Sequence, residues 1–142
     1  MSRPSWDVYF LNLAKVISER SHDPHTKHGC LIVKDNRPLG FGYNGFPKGM
    51  DDESLPLTRP EKYPWMIHSE INALASCEHR PIGATAYITG PPCHNCLITM
   101  YQFGITKIVH GNLKAKMIDE EQERNKSIFL NQIPIEIIQY EF

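Results

Sequence analysis

Two short stretches carry the residues best suited to chemistry: His68-Ser69-Glu70, and Pro91-Pro92-Cys93-His94-Asn95-Cys96. One imidazole and two thiolates make three good zinc donors, whereas structural zinc sites nearly always close the tetrahedron with four protein ligands. A set of three implies an open position for water. Glu70 follows His68 by two residues, in the first turn of a helix expected to run to about Glu78, where a carboxylate can reach that water and suits the helix N-terminus. Cys93 and Cys96 open a second expected helix, Cys93 to Phe103, so both sulfurs can face one ion. Pro92 suits the entry to that helix, and the amides at its start favour the thiolate form.

Neither half is specific alone. Taken singly, His68 could be a satisfied, partly buried histidine, and Cys93 with Cys96 a redox pair or small core residues. Together, H-x-E followed by P-C-x-x-C is the pattern of zinc enzymes that deaminate nucleobases, with the glutamate as proton shuttle and not a ligand.

The elements that must position these groups follow from patterning. Trp6, Tyr9, Phe10, Leu13, Val16 and Ile17 recur at helical spacing, which predicts an amphipathic helix over Ser5 to Arg20 with these side chains on the core. Pro24 then breaks the helix inside Ser21-His22-Asp23-Pro24-His25-Thr26-Lys27-His28, a polar turn whose histidines are expected to be solvated. Ser21, Thr26 and Lys27 offer hydroxyls and a cation to a phosphate. Cys30 to Lys34 and Pro38 to Tyr43 read as a hairpin around Asp35-Asn36-Arg37. Four glycines between Gly40 and Gly49 require tight turning or close approach. Asp51 to Pro64 is a polar, proline-rich loop placed to cover the site.

Ala84 to Thr89 and Ile105 to His110 read as strands on either side of the Cys93 helix, a βαβ crossover with parallel neighbours. Ligands in such sheets gather at the carboxyl ends of strands, where Cys93 falls. A charged helix over Leu113 to Phe129, with Met117, Ile118, Ile128 and Phe129 as its apolar stripe, and a strand over Ile135 to Phe142 complete an α/β chain, read as one domain over residues 1–142.

Composition narrows the partners. The 142 residues are 41% hydrophobic and 22% charged, ordinary values for a globular protein, with a net charge of −1 and no basic stripe. Long nucleic acid is therefore disfavoured against a small nucleotide. No cationic leader or apolar run near membrane length occurs, so a cytoplasmic protein with no membrane contact is expected. Four cysteines do not make a secreted disulfide framework; Cys30 and Cys77 are expected as small buried or half-buried thiols.

From about Trp6 to Gly111 the chain resembles the deoxycytidylate deaminases. The matching stretches are Ser21 to Lys27, Gly42-Tyr43-Asn44-Gly45-Phe46-Pro47-Lys48-Gly49, Ile67 to Leu74 and Pro92 to Cys96, in the family's order. H-x-E with P-C-x-x-C is shared across the cytidine-deaminase superfamily and speaks to chemistry; the Asp-Pro-x-Thr-Lys and Gly-Tyr-Asn-Gly stretches are narrower and speak to dCMP. The resemblance implies a three-layer α/β/α sandwich with a mixed sheet of about five strands, hydrolysis of dCMP to dUMP, catalytic Zn²⁺ on His68, Cys93 and Cys96, and Glu70 as proton carrier. It also implies Asn44 at the substrate's sugar hydroxyl, and a hexamer controlled by dCTP and by dTTP with Mg²⁺ at Tyr43, Gly45 and Lys48. Ser69, His28 and Cys30 depart from the family's usual alanine, valine and alanine, and Met50 lacks the thiol that a second zinc uses in some viral relatives. Cytidine, cytosine or tRNA-adenosine deamination by the same zinc chemistry, and a noncatalytic nucleotide-binding scaffold, are the alternatives.

Overall fold

Helix α1, Trp6–Ser18, starts where Ser5 accepts the Val8 amide at 3.2 Å, with Asp7 in its first turn and Lys15 in its last, both charges matched to the helix dipole. The computed structural model describes residues 2–113 and 119–142. The buried face of α1 is Phe10, Leu11, Ala14 and Ser18. Trp6, Tyr9 and Val16, expected on the core, are exposed instead; Trp6 stacks on Phe10 with ring centroids 5.5 Å apart. The reason lies in β1: a Cβ on Gly29 would stand 2.1 Å from the Ala14 carbonyl oxygen, so α1 settles on the sheet along its Ala14 and Ser18 side, which keeps Phe10 inside and turns Trp6, Tyr9 and Val16 outward.

Strands β1, Gly29–Lys34, and β2, Arg37–Tyr43, form the hairpin. Its turn has two residues, not three: Asp35 and Asn36 both take positive φ, 52° and 60°, which lets Arg37 pair with Lys34. Turns with two left-handed residues match the twist of the strands they join, and Asp and Asn tolerate that conformation. Helix α2, Ser69–Ser76, packs across β2, and the glycines there answer to close approach: a Cβ on Gly42 would be 2.4 Å from the Ala73 amide, and one on Gly40 2.5 Å from the Ser76 hydroxyl.

Strand β3, Thr85–Ile88, pairs antiparallel with β1 and parallel with β4, Lys107–His110; helix α3, His94–Phe103, is the crossover between β3 and β4. Gly104 ends α3 in the left-handed conformation at φ 107°. Helix α4, Glu120–Gln132, leads to β5, Glu136–Gln139, parallel to β4, and the order across the sheet is β2-β1-β3-β4-β5. Asp119 caps α4 by accepting the Glu121 and Gln122 amides, and three glutamates fill the first turn. That cap, not the apolar spacing, sets where α4 begins, and Leu113 lies outside it; Met117 and Ile118 fall outside the described residues. The helix covers the sheet with Phe129 and Leu130, while Ile128, expected in its apolar stripe, is exposed. The final strand is shorter than the expected Ile135 to Phe142.

Alternation along β1 divides the core into two layers. Leu31 and Val33 meet Phe10, Leu11 and Ala14 of α1, with Tyr87 and Val109. Cys30 and Ile32 meet Ala73, Leu74, Leu97 and Met100 of α2 and α3 on the opposite face. The result is the three-layer α/β/α sandwich, with α1 on one side and α2, α3 and α4 on the other.

Candidate metal centre

The starts of α2 and α3 converge. His68 is the N-cap of α2 and makes no capping hydrogen bond with its ring, which leaves the imidazole free to turn toward α3. Cys93 is the N-cap of α3, and its sulfur accepts the Cys96 amide at 3.4 Å. The His68 Nδ1 stands 3.2 Å from the Cys96 sulfur and 3.6 Å from the Cys93 sulfur, and all three donor atoms lie within 4.8 Å of one another. Zinc–sulfur bonds of about 2.3 Å and zinc–nitrogen bonds of about 2.0–2.1 Å at tetrahedral angles separate such donors by roughly 3.6 Å. The set fits a tetrahedral metal with one position left open.

Its protonation fits the same reading. The Cys93 thiol is pulled down to about 4, chiefly by the hydrogen bond from Cys96 and, against burial, by the one with His68. Cys96 is pushed up, first by that same bond to Cys93 and then by burial. His68 is pushed up, led by its bond to Cys93. A divalent cation held by both sulfurs would require Cys96 as well as Cys93 to be a thiolate.

Glu70 sits in the first turn of α2, buried, with Oε1 accepting the Ser69 hydroxyl at 2.6 Å. It comes close enough to Cys96 to raise that thiol, and its charge also acts on His28 and on Cys30. A cavity of about 390 Å³ opens beside the donors, lined by His68, Cys93 and Cys96 together with Ile71, Thr99 and Gln122. That volume is within the range of small-molecule sites.

The residues expected to bind substrate lie in one corner around the start of β1, but not all have free atoms. Asn44 is buried; its Oδ1 accepts the His28 amide and its Nδ2 donates to the Thr26 carbonyl, both at 2.8 Å, leaving one hydrogen on Nδ2. Ser21 is buried too, with its hydroxyl donating to the Asn44 carbonyl at 2.8 Å and accepting the Asp23 amide. Thr26 accepts Nη2 of Arg59 at 3.1 Å, and Lys27 is exposed. Tyr43 is half-buried and Lys48 exposed, while both backbone groups of Gly45 are spent on Ile67.

Several contributors escaped the sequence reading. Of the turn histidines expected to be solvated, only His25 is exposed; His22 packs edge-on against Phe46, and His28 lies 3.0 Å from the Thr89 hydroxyl. Burial pushes the His28 imidazole down, partly offset by Glu70. The loop from Asp51 to Pro64 is pinned beside the turn by Arg59 and, near its end, by a buried ion pair, Lys62 Nζ to Asp23 Oδ2 at 2.6 Å. The only sequence signal for this was an aspartate in a turn and a basic residue in a loop, which also describes many solvated pairs.

A histidine and two cysteines at the starts of neighbouring helices, with a buried glutamate in the first turn of one of them, on a mixed five-stranded sheet, define a zinc-dependent hydrolytic deaminase. The comparisons narrow this. Residues 4–112 match the family model described as cytidine and deoxycytidylate deaminase zinc-binding region, and the chain belongs to that family. It is 37% identical over 128 residues to a deoxycytidylate deaminase of Mycobacterium phage D29, covering 78% of this chain and 97% of the phage protein. It is 32% identical over 123 residues to the human deoxycytidylate deaminase, covering 81% of this chain and 69% of the human one. Its fold matches that of dCMP deaminase from cyanophage S-TIM5 in complex with dCMP and dUMP, with TM-score 0.75 and 24% identity over 99% of this chain and 100% of that one. Among the described residues no helix is long and apolar enough to cross a membrane.

Proposed function

We propose that this chain hydrolyses dCMP to dUMP and ammonia. The observation that carries the reading is the buried Glu70 carboxylate beside a donor set of three, since a purely structural metal would need neither the open position nor the acid. The relatives named as deoxycytidylate deaminases set the substrate.

His68 Nδ1, Cys93 Sγ and Cys96 Sγ would hold zinc, which when bound supplies Lewis acidity that brings the pKa of water toward 7. Ser69 holds one oxygen of Glu70, leaving the other to face substrate. That oxygen takes a proton from the attacking water and delivers it to N3 of the cytosine as the C4–O bond forms. It then carries the second proton of the same water to the exocyclic nitrogen as the C4–N bond breaks, releasing ammonia and leaving the N3–H of uracil. The remaining Nδ2 hydrogen of Asn44 is available to the sugar hydroxyl, and an amide left unpaired by an analogue discriminates strongly.

Zinc-loaded protein incubated with dCMP, deoxycytidine, cytosine and dCTP, followed by loss of the cytosine absorbance, tests the reading: dCMP should show the highest kcat/KM. Preference for deoxycytidine or cytosine would overturn the dCMP assignment. Control by dCTP and by dTTP with Mg²⁺, in a hexamer and through Tyr43, Gly45 and Lys48, belongs to the same proposal; dCMP saturation curves unmoved by either triphosphate would remove it.

A further inference from the structure

We propose that Arg59 is the phosphate-binding residue of the site, seated on Thr26 and working with Lys27, a reading that rests on dCMP as substrate. The two cations this loop brings to the turn, Lys62 and Arg59, differ in whether a carboxylate meets them. Asp23 is engaged through both oxygens: Oδ1 accepts the amides of His25 and Thr26 at 2.8 and 3.1 Å, and Oδ2 takes Lys62 at 2.6 Å with both side chains almost wholly buried. The ammonium of Lys62 is thereby neutralised. Arg59 is not. Its Nη2 donates to the Thr26 hydroxyl, its Nε is enclosed with no acceptor among the described residues, and no carboxylate there pairs with it.

A guanidinium carries five donors in a planar fork that matches the oxygens of a phosphate monoester. An enclosed Nε–H with no acceptor is costly until such an anion arrives.

The position agrees with the shape of a nucleotide. Thr26, which holds Arg59 through its hydroxyl, takes Asn44 Nδ2 on its carbonyl; Asn44 takes the His28 amide; and the His28 ring feels both Glu70 and His68. Arg59 and Asn44 are thus joined through Thr26, and Asn44 leads through His28 to the electrostatic reach of Glu70, the order phosphate, sugar, base. Ser21, expected at the phosphate, has its hydroxyl committed to the Asn44 carbonyl and the Asp23 amide, so it braces the corner instead of reaching the ligand.

The test uses the zinc-loaded full chain and its Arg59→Gln and Arg59→Lys variants. The ratio of kcat/KM for dCMP to that for deoxycytidine should fall on the order of 10- to 100-fold in Arg59→Gln, the worth of one or two charge-assisted hydrogen bonds, mostly through KM, and partly recover in Arg59→Lys. Calorimetry with dUMP and deoxyuridine reads the same question without turnover: the parent's preference for dUMP should collapse in Arg59→Gln. A ratio and a dUMP preference within twofold of the parent's would overturn the assignment. A parent that binds dUMP through Arg59 yet fails to deaminate dCMP would sink the proposed reaction and leave the phosphate site standing.

Discussion

The Ser69 hydroxyl is bonded to Oε1 of Glu70 at 2.6 Å, so the carboxylate that must move protons is clamped at one oxygen by its own chain neighbour. The two residues should separate cleanly by mutation. Glu70→Gln keeps shape and removes the proton carrier, and should lower kcat by about 10²–10⁴-fold with zinc content unchanged, as measured by metal analysis beside the dCMP assay. Ser69→Ala removes only the clamp and should lower kcat several-fold, with KM little changed. Equal losses in the two variants would show that Ser69 does more than orient its neighbour.

Metal content should follow the three donors. One zinc per chain is expected by elemental analysis; a strong chelator should abolish deamination, and added Zn²⁺ should restore it. Cys96→Ser should lose the stoichiometric metal, because its sulfur is 3.2 Å from His68 Nδ1 and on the buried side of the set. Zinc binding should release protons, since the Cys96 thiol, raised by its neighbour and by burial, must lose its proton to become a ligand.

The buried pair Asp23 and Lys62 gives stability a defined dependence on pH. Burial pushes the Asp23 carboxyl up, but the Lys62 ammonium and the His25 and Thr26 amides outweigh it, and the group ends below its ordinary value of 3.8. A lowered carboxyl stabilises the folded state fully above 3.8 and loses that contribution as pH falls through the folded value. Lys62→Met removes one partner of a buried pair and should cost about 3–5 kcal/mol near neutral pH. The gap in melting temperature between parent and variant should narrow in acid; a gap constant with pH would mean that packing, not charge, set the loss.

Gly42→Ala probes how tightly α2 is laid on β2. The new Cβ would meet the Ala73 amide at 2.4 Å and Asn72 at 2.7 Å, contacts with backbone that no rotamer change relieves. The expected loss is about 1–3 kcal/mol in denaturant unfolding. Because α2 carries His68 and Glu70, kcat should fall as well. An unchanged unfolding midpoint would mean that the helix can shift without strain.

The sequence by itself determined the pieces whose geometry is written in short covalent spacings. Two residues from His68 to Glu70 and three from Cys93 to Cys96 place these groups at helix starts wherever the helices go, and caps, prolines and alternating strands read locally in the same way. Only the tertiary structure decided what met across long separations. Asp23 and Lys62 are 39 residues apart, Arg59 and Thr26 33, and His28 and Thr89 61, and no periodicity encodes such partners. The same holds for Trp6, which fits the apolar spacing of α1 yet faces solvent because Gly29 lets the helix settle along its Ala14 and Ser18 side. Local spacing sets which side chains share a face; long-range packing and charge balance then choose which face is covered and which cation is left for a ligand.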